Sequence, residues 1–177
     1  STEEDPSICR GLLADIISSG WSDCVDSWDE LTRIAGSPDV TLNKLALISK
    51  QKPDGSMKHR IIWDFKRSGV NSFVFQGERI VLPRPFDLAQ DILDLAAHLE
   101  PGEELWYFGL DVSDAFHQIP FKKGEWRFTA VSFEEKFYIF KVLVFGSGSA
   151  PTVWGRYAAW LGRSTAMLSD RKRLRAR

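Results

Sequence analysis

Residues 105–121 read LWYFGLDVSDAFHQIPF: an apolar run that ends on Asp111, then Asp114, then a chain-turning Ile-Pro. Such a run predicts a buried strand over 105–112, with DAFHQI forming a turn or short helix after it. An ionised carboxylate at a buried strand end is costly to leave unpaired, so Asp111 either faces a cation or caps the following turn. A hard cation such as Mg²⁺ takes carboxylate and carbonyl oxygens, and Asp111 with the Val112 carbonyl supplies part of such a site. Two-metal phosphoryl transfer needs further carboxylates, close enough to hold ions ~3.5–4 Å apart. Asp114 points away from Asp111 in a strand and turn, so it is not assumed to be that partner. His117 with the two acids makes a rival ligand set, but at no spacing that a zinc site uses. A half-exposed, non-ligating His117 is the plainer reading.

Upstream, LNKLALISKQK and MKHRIIWDF are β-rich runs joined by Pro53-Asp54-Gly55-Ser56, which predicts a hairpin with Lys50, Lys52, Lys58 and Arg60 near its tip. Lys52 and Arg60 could neutralise a triphosphate, and Arg offers a fork that matches phosphate oxygens. Charged hairpin edges also serve simply to discourage aggregation. Pro83 and Pro85 sit in an extended linker before a helix carrying Leu88, Ile92, Leu95 and Leu99 on one face. Downstream, WRFTAVSF and KFYIFKVLVF predict an antiparallel pair. The Gly/Ser loop 146–149 leads into a long helix that buries Val153, Trp154, Tyr157, Ala158 and Leu161, with Pro151 in its first turn. That loop lacks the Gly-Lys-Ser/Thr ending of a P-loop. Trp63, Trp126, Trp154 and Trp160 read as core or second-layer packing.

Near the N-terminus, residues 7–19 predict a helix stopping at Gly20. A second helix opens at Ser27 with Glu30 three residues on, and closes at Gly36. The order of helices, hairpin, helix, strand, hairpin and helix predicts an α+β fold, an antiparallel sheet packed on helices. Residues 1–30 carry eight acids and one base, while 169–177 carry five bases and one acid, leaving a net charge of −1. No large basic field therefore advertises a nucleic-acid partner. No apolar run is long enough for a membrane span, and no secretory leader is visible, so an intracellular location is expected. Cys9 and Cys24 have no companion Cys or His pair, which predicts free thiols.

Taken in order, five segments resemble a reverse transcriptase of retrotransposon type over roughly residues 45–165: KHRIIWDFKRSGVN (58–71), VLPRPFDLAQDI (81–92), FGLDVSDAFHQIPF (108–121), WRFTAVSF (126–133) and YIFKVLVFGSGSAP (138–151). The resemblance implies the fingers and partial palm of a right-hand polymerase. Acidic helices would fill 1–40, a fingers-like hairpin and linking helix 41–100, the partial palm 101–168, and a basic tail 169–177. It implies that Asp111 binds two Mg²⁺ ions with help from the Val112 carbonyl. Arg60 and Lys52 would hold a deoxynucleoside triphosphate, with Lys50 as the alternative to Lys52. Backbone amides of Asp114 and Ala115 would touch the triphosphate. Phe116 would lie under the sugar and exclude a ribose 2′-OH, and Phe145 and Gly146 would shape the pocket beneath nucleotide and template. An RNA or DNA template-primer is the implied partner. Val144 stands where the family has Pro, and the family's Tyr-x-Asp-Asp hairpin and thumb are absent from the sequence. The expectation is a polymerase fragment that does not polymerise by itself. The alternative is a non-catalytic nucleic-acid-binding remnant that uses the hairpin and tail.

Overall fold

Local signals set the first half of the chain. Pro6, whose missing N–H costs nothing in a first turn, opens α1 (Pro6–Ser18), and Gly20 follows it at φ +74°. Its buried residues Cys9, Leu13 and Ile16 recur at helical spacing and form one stripe. In α2 (Trp28–Ala35) the Ser27 hydroxyl accepts from the Glu30 N–H at 3.2 Å, and Gly36 closes the helix at φ +68°. The computed structural model describes residues 5–78, 80–107 and 109–168, without the side chains of Ala166 and Leu168. The basic tail 169–177 lies outside the described residues.

The 42–65 hairpin forms as β2 (Leu45–Gln51) and β3 (Met57–Trp63) in antiparallel register, Leu45 opposite Trp63 and Gln51 opposite Met57. Gly55 at φ +82° makes the turn between them. A second sheet has the order β1-β5-β4, with β1 (Ser22–Val25), β4 (Val131–Phe133) and β5 (Lys136–Phe140) all antiparallel. Sequence reasoning did not find β1, because SDCV is four residues without alternation inside an acidic segment. The expected extension of β4 back to Trp126 is instead a 3₁₀ turn over Lys123–Phe128.

Alternation along β5 buries both faces of this sheet. Tyr138 and Phe140 pack with α1 and with Leu45, Ile61, Trp63, Phe65, Val131 and Val144. Ile139 points the other way, to Val25, Leu31, Ala35 and Ala130. Asn43 ties hairpin to sheet: its amide donates to the carbonyls of Phe128 at 2.8 Å and Ala130 at 3.0 Å, and its oxygen accepts from Ser68 at 2.6 Å. All of this lies in one unit, Ser1–Phe75 with Asp114–Ala150. Cys9 and Cys24 are free thiols, and burial, then the Glu134 charge, push the Cys9 thiol up to about 11.

The other unit comprises Gln76–Ser113 and Pro151–Arg177. It holds α3 (Pro85–Ala96) and all but the first residue of α4 (Ala150–Leu168). Here the structure corrects several expectations. The described residues of 105–112 form no strand, and among them Trp106, Tyr107 and Leu110 are 82%, 73% and 76% exposed. A central strand needs neighbours for its backbone groups, and no described strand pairs with this segment. In α3 the buried residue is Asp91, while Ile92 is exposed and Leu99 lies beyond the helix. In α4 Val153, Trp154, Ala158 and Leu161 are only half-buried, Tyr157 is exposed, and Trp160 is no core residue. No helix of the described residues is long and apolar enough to cross a membrane.

The β4–β5 loop is a two-residue turn, Phe133 facing Lys136, with Glu134 at φ +48° and Glu135 at φ +61°. Two-residue hairpin turns of this hand favour Asn-Gly, and a side chain in the left-handed region costs energy. Glu134 is engaged by Arg10 at 2.7 Å, whereas Glu135 is exposed. Glu135→Gly is therefore expected to stabilise the chain by about 1 kcal/mol in urea unfolding; unchanged or reduced stability would contradict the turn assignment.

Candidate functional site

Cross-strand partners in an antiparallel ladder share a face, and faces alternate along each strand. Leu45, Ile61 and Trp63 are buried, so one face of the hairpin belongs to the core. The register puts Ile48 opposite Arg60 and Lys50 opposite Lys58 on the other face. Lys50, Lys58 and Arg60 thus form an exposed basic row, and among the described residues none has a carboxylate partner. Lys52 lies past the ladder, where its backbone closes the turn with Ser56 and Gly55. Of the two candidate lysines, it is Lys50 that shares a strand face with Arg60.

The chain after β5 returns to the end of β3. The Trp63 N–H donates to the Phe145 carbonyl at 2.9 Å. Gly146 follows at φ +108°, and a Cβ there would overlap the Trp63 carbonyl oxygen. No side chain fits, so glycine is required and the backbone lies directly on β3. Asn71 holds the turn from outside: its Nδ2 donates to the Gly146 carbonyl at 3.0 Å, and its Oδ1 accepts from the Gly148 N–H at 2.9 Å.

Seating this turn places the half-buried Phe145 ring 5.5 Å from the Arg60 guanidinium carbon. Phe116 packs on the same ring with centroids 5.0 Å apart. Phe116 arrives there because the segment after Asp114 turns sharply and pairs with 141–143. Asp114 sits at φ +50°, the Ile119 N–H donates to the Phe116 carbonyl at 3.0 Å, and the Leu143 N–H donates to the Ile119 carbonyl at 2.8 Å. Asp114 and Ala115 form the start of that turn. The structure thus brings Arg60 and Phe116 to the Phe145 ring, with Asp114, Ala115 and Gly146 in the same unit. Asp111 and Val112 belong to the other unit; Asp111 is exposed and Val112 half-buried.

His117 is not the half-exposed residue expected. It is 8% exposed, packed between Trp21 at 4.8 Å and Phe145 at 5.8 Å, and neither ring nitrogen has a hydrogen-bond partner among the described residues. Sequence reasoning missed this role, and it missed Asn71 as the clamp; an Asn two residues past a left-handed Gly69 was the available signal. Among the described residues no three His, Cys, Asp or Glu side chains converge as a metal site. Asp111 offers one carboxylate, which is fewer than a two-ion centre requires, so no metal-dependent step is derived from these residues. No family model matches the chain, and no curated protein matches it.

Burial holds the His117 imidazole below its ordinary range, and the Asp114 charge offsets this only in part. The unfolded chain takes up that proton near pH ~6.5 and the folded chain only lower. Between those values the unfolded state binds more protons, so stability falls as pH drops through that window and levels off below it. His117→Phe should remove this contribution. Urea unfolding at about pH 7.5 and about pH 5.5 should show wild type losing more stability than the variant, by up to ~1.4 kcal/mol per pH unit inside the window. Equal losses would contradict a buried neutral imidazole.

Proposed function

We propose that the outward face of β3, with the turns at 114–117 and 145–146, binds the triphosphate of a deoxynucleoside triphosphate, as fingers and palm segments of a reverse-transcriptase-like polymerase do. One observation carries this reading: an exposed, unpaired Arg60 guanidinium rests against Phe145, which Phe116 also packs against. A guanidinium braced by an aromatic ring keeps its fork of donors oriented for phosphate oxygens. The two phenyl rings beside it, tilted 51° to each other, offer apolar surface for the sugar and base. Lys50 and Lys58 extend the positive charge along the strand, which suits a polyanion.

Under this proposal the α+β fold is the fingers and first palm half of a polymerase acting on an RNA or DNA template-primer. Asp111 and the Val112 carbonyl would contribute to a Mg²⁺ site completed by carboxylates from elsewhere. A second reading, binding of a nucleic-acid backbone without turnover, draws on the same basic row, since Lys and Arg contacts to phosphates supply sequence-independent affinity.

A fluorescence titration with dTTP tests the choice. Arg60→Ala should weaken dTTP binding roughly 10–100-fold, the worth of a lost charge-assisted phosphate contact. Phe116→Ala should narrow the preference for dTTP over its ribonucleotide counterpart. Unchanged dTTP affinity in Arg60→Ala sinks the triphosphate site, and salt-dependent duplex binding lost in the same variant would favour the second reading.

A further inference from the structure

We infer that Asn71 is a positioning residue for the triphosphate face: its carboxamide locks the 145–148 turn and thereby keeps the Phe145 ring against Arg60. The inference rests on the nucleotide-binding reading above and names a residue that acts through others. The turn contains Gly146 and Gly148, and its 145–146 end rests on Trp63. Its own backbone bonds run from the Ser147 N–H to the Val144 carbonyl, long at 3.4 Å, and from the Ala150 N–H to the Ser147 carbonyl at 3.1 Å. The Ser147 and Ser149 hydroxyls contact each other at 3.0 Å and do not reach back to β3. Beside those Trp63 contacts, Asn71 adds a two-point side-chain grip in which one carboxamide donates to Gly146 and accepts from Gly148, at 3.0 Å and 2.9 Å.

Only Asn has this combination at this length. Asp lacks the donor, Ser lacks the reach, and Gln adds a methylene. The grip is aimed by its own backbone. Gly69 at φ +81° starts a 3₁₀ turn over Val70–Phe73, and the Asn71 N–H donates to the Phe65 carbonyl at 3.1 Å. The β3 strand that carries Arg60 therefore ends in a loop that folds back and pins the turn bearing Phe145. Space is tight as well: a Cβ on Gly148 would come within 3.3 Å of the Asn71 Oδ1. Releasing the amide leaves the turn held only at its Trp63 end, which loosens the Phe145 ring against Arg60.

The test measures dTTP affinity well below the unfolding temperature, with thermal stability recorded separately. Asn71→Asp keeps the acceptor for Gly148 and removes the donor for Gly146, whereas Asn71→Ala removes both. Folded Asn71→Ala should bind dTTP about tenfold more weakly, with Asn71→Asp also weakened. In the Arg60→Ala background the further loss from Asn71→Ala should vanish, because both act through one contact. A residue that merely stabilises the fold would lower the melting temperature and leave affinity unchanged, and that result overturns the inference. Additive losses in the double variant overturn it too. If neither variant folds, linkage keeps the question open to the wild-type chain. A clamp that promotes binding must itself be tightened by binding, so hydrogen exchange at the Gly148 amide should slow about tenfold at saturating dTTP. Unchanged exchange is the contrary result. Should Arg60→Ala alone leave dTTP binding intact, the nucleotide-binding reading fails; intact binding in the Asn71 variants beside a weakened Arg60→Ala removes only the clamp.

Discussion

The candidate site depends on one steric constraint: the backbone of Gly146 lies so close to the Trp63 carbonyl that no Cβ fits between them. That contact fastens the segment after β5 to the end of β3, and the Trp63 N–H to Phe145 carbonyl bond reinforces it. Trp63 is itself immobilised in the core, 1% exposed with its ring edge-on to Phe140 at 4.4 Å. The turn is thus anchored to a residue of the buried core. Everything aromatic around Arg60 inherits its position from there.

Chemistry follows from how burial is distributed on the hairpin. The core takes one face of β2 and β3, which obliges the alternate residues, Lys50, Lys58 and Arg60 among them, to face outward together. Like charges in a row repel, and here no described carboxylate neutralises them, so an anionic ligand would relieve a cost already present in the free protein. Phe145 and Phe116 add an apolar floor beside that charge. His117, buried and neutral behind Phe145, backs the ring without placing a second cation beneath Arg60. A polyanion with an attached flat ring matches this surface better than either a simple anion or an apolar molecule.

Much of the architecture was legible because its signals are local. The caps at Ser27 and Gly36, the Pro53–Gly55 turn and the β-rich run 57–63 depend on neighbours a few residues away. The strand β1 was invisible for the opposite reason: it exists through its register with β5, more than a hundred positions distant. The apolar run 105–112 shows the limit most clearly. Its composition suits a central strand, yet strand formation requires partners for backbone hydrogen bonds, and none of the described strands supplies them. The residues of the candidate site could be listed from motif resemblance, but not their assembly. That Arg60 and Phe116 both lie against the Phe145 ring follows from the Gly146 seat, and that His117 is buried follows from Trp21; neither is written in spacing. Lys52 could not be separated from Lys50 until the ladder showed Lys50 paired with Lys58 inside it and Lys52 in the turn beyond it.

The most direct measurement is a ¹⁵N-resolved NMR titration of the chain with dTTP, following the Arg60 Nε–H and the backbone amides of 114–117 and 145–148. A triphosphate seated on this face moves those signals together with a single dissociation constant, while amides of α2, remote in the sequence and on the other side of the β1-β5-β4 sheet, stay in place. Shifts confined to other surfaces, or none at millimolar dTTP, would contradict a nucleotide site at Arg60 and Phe145.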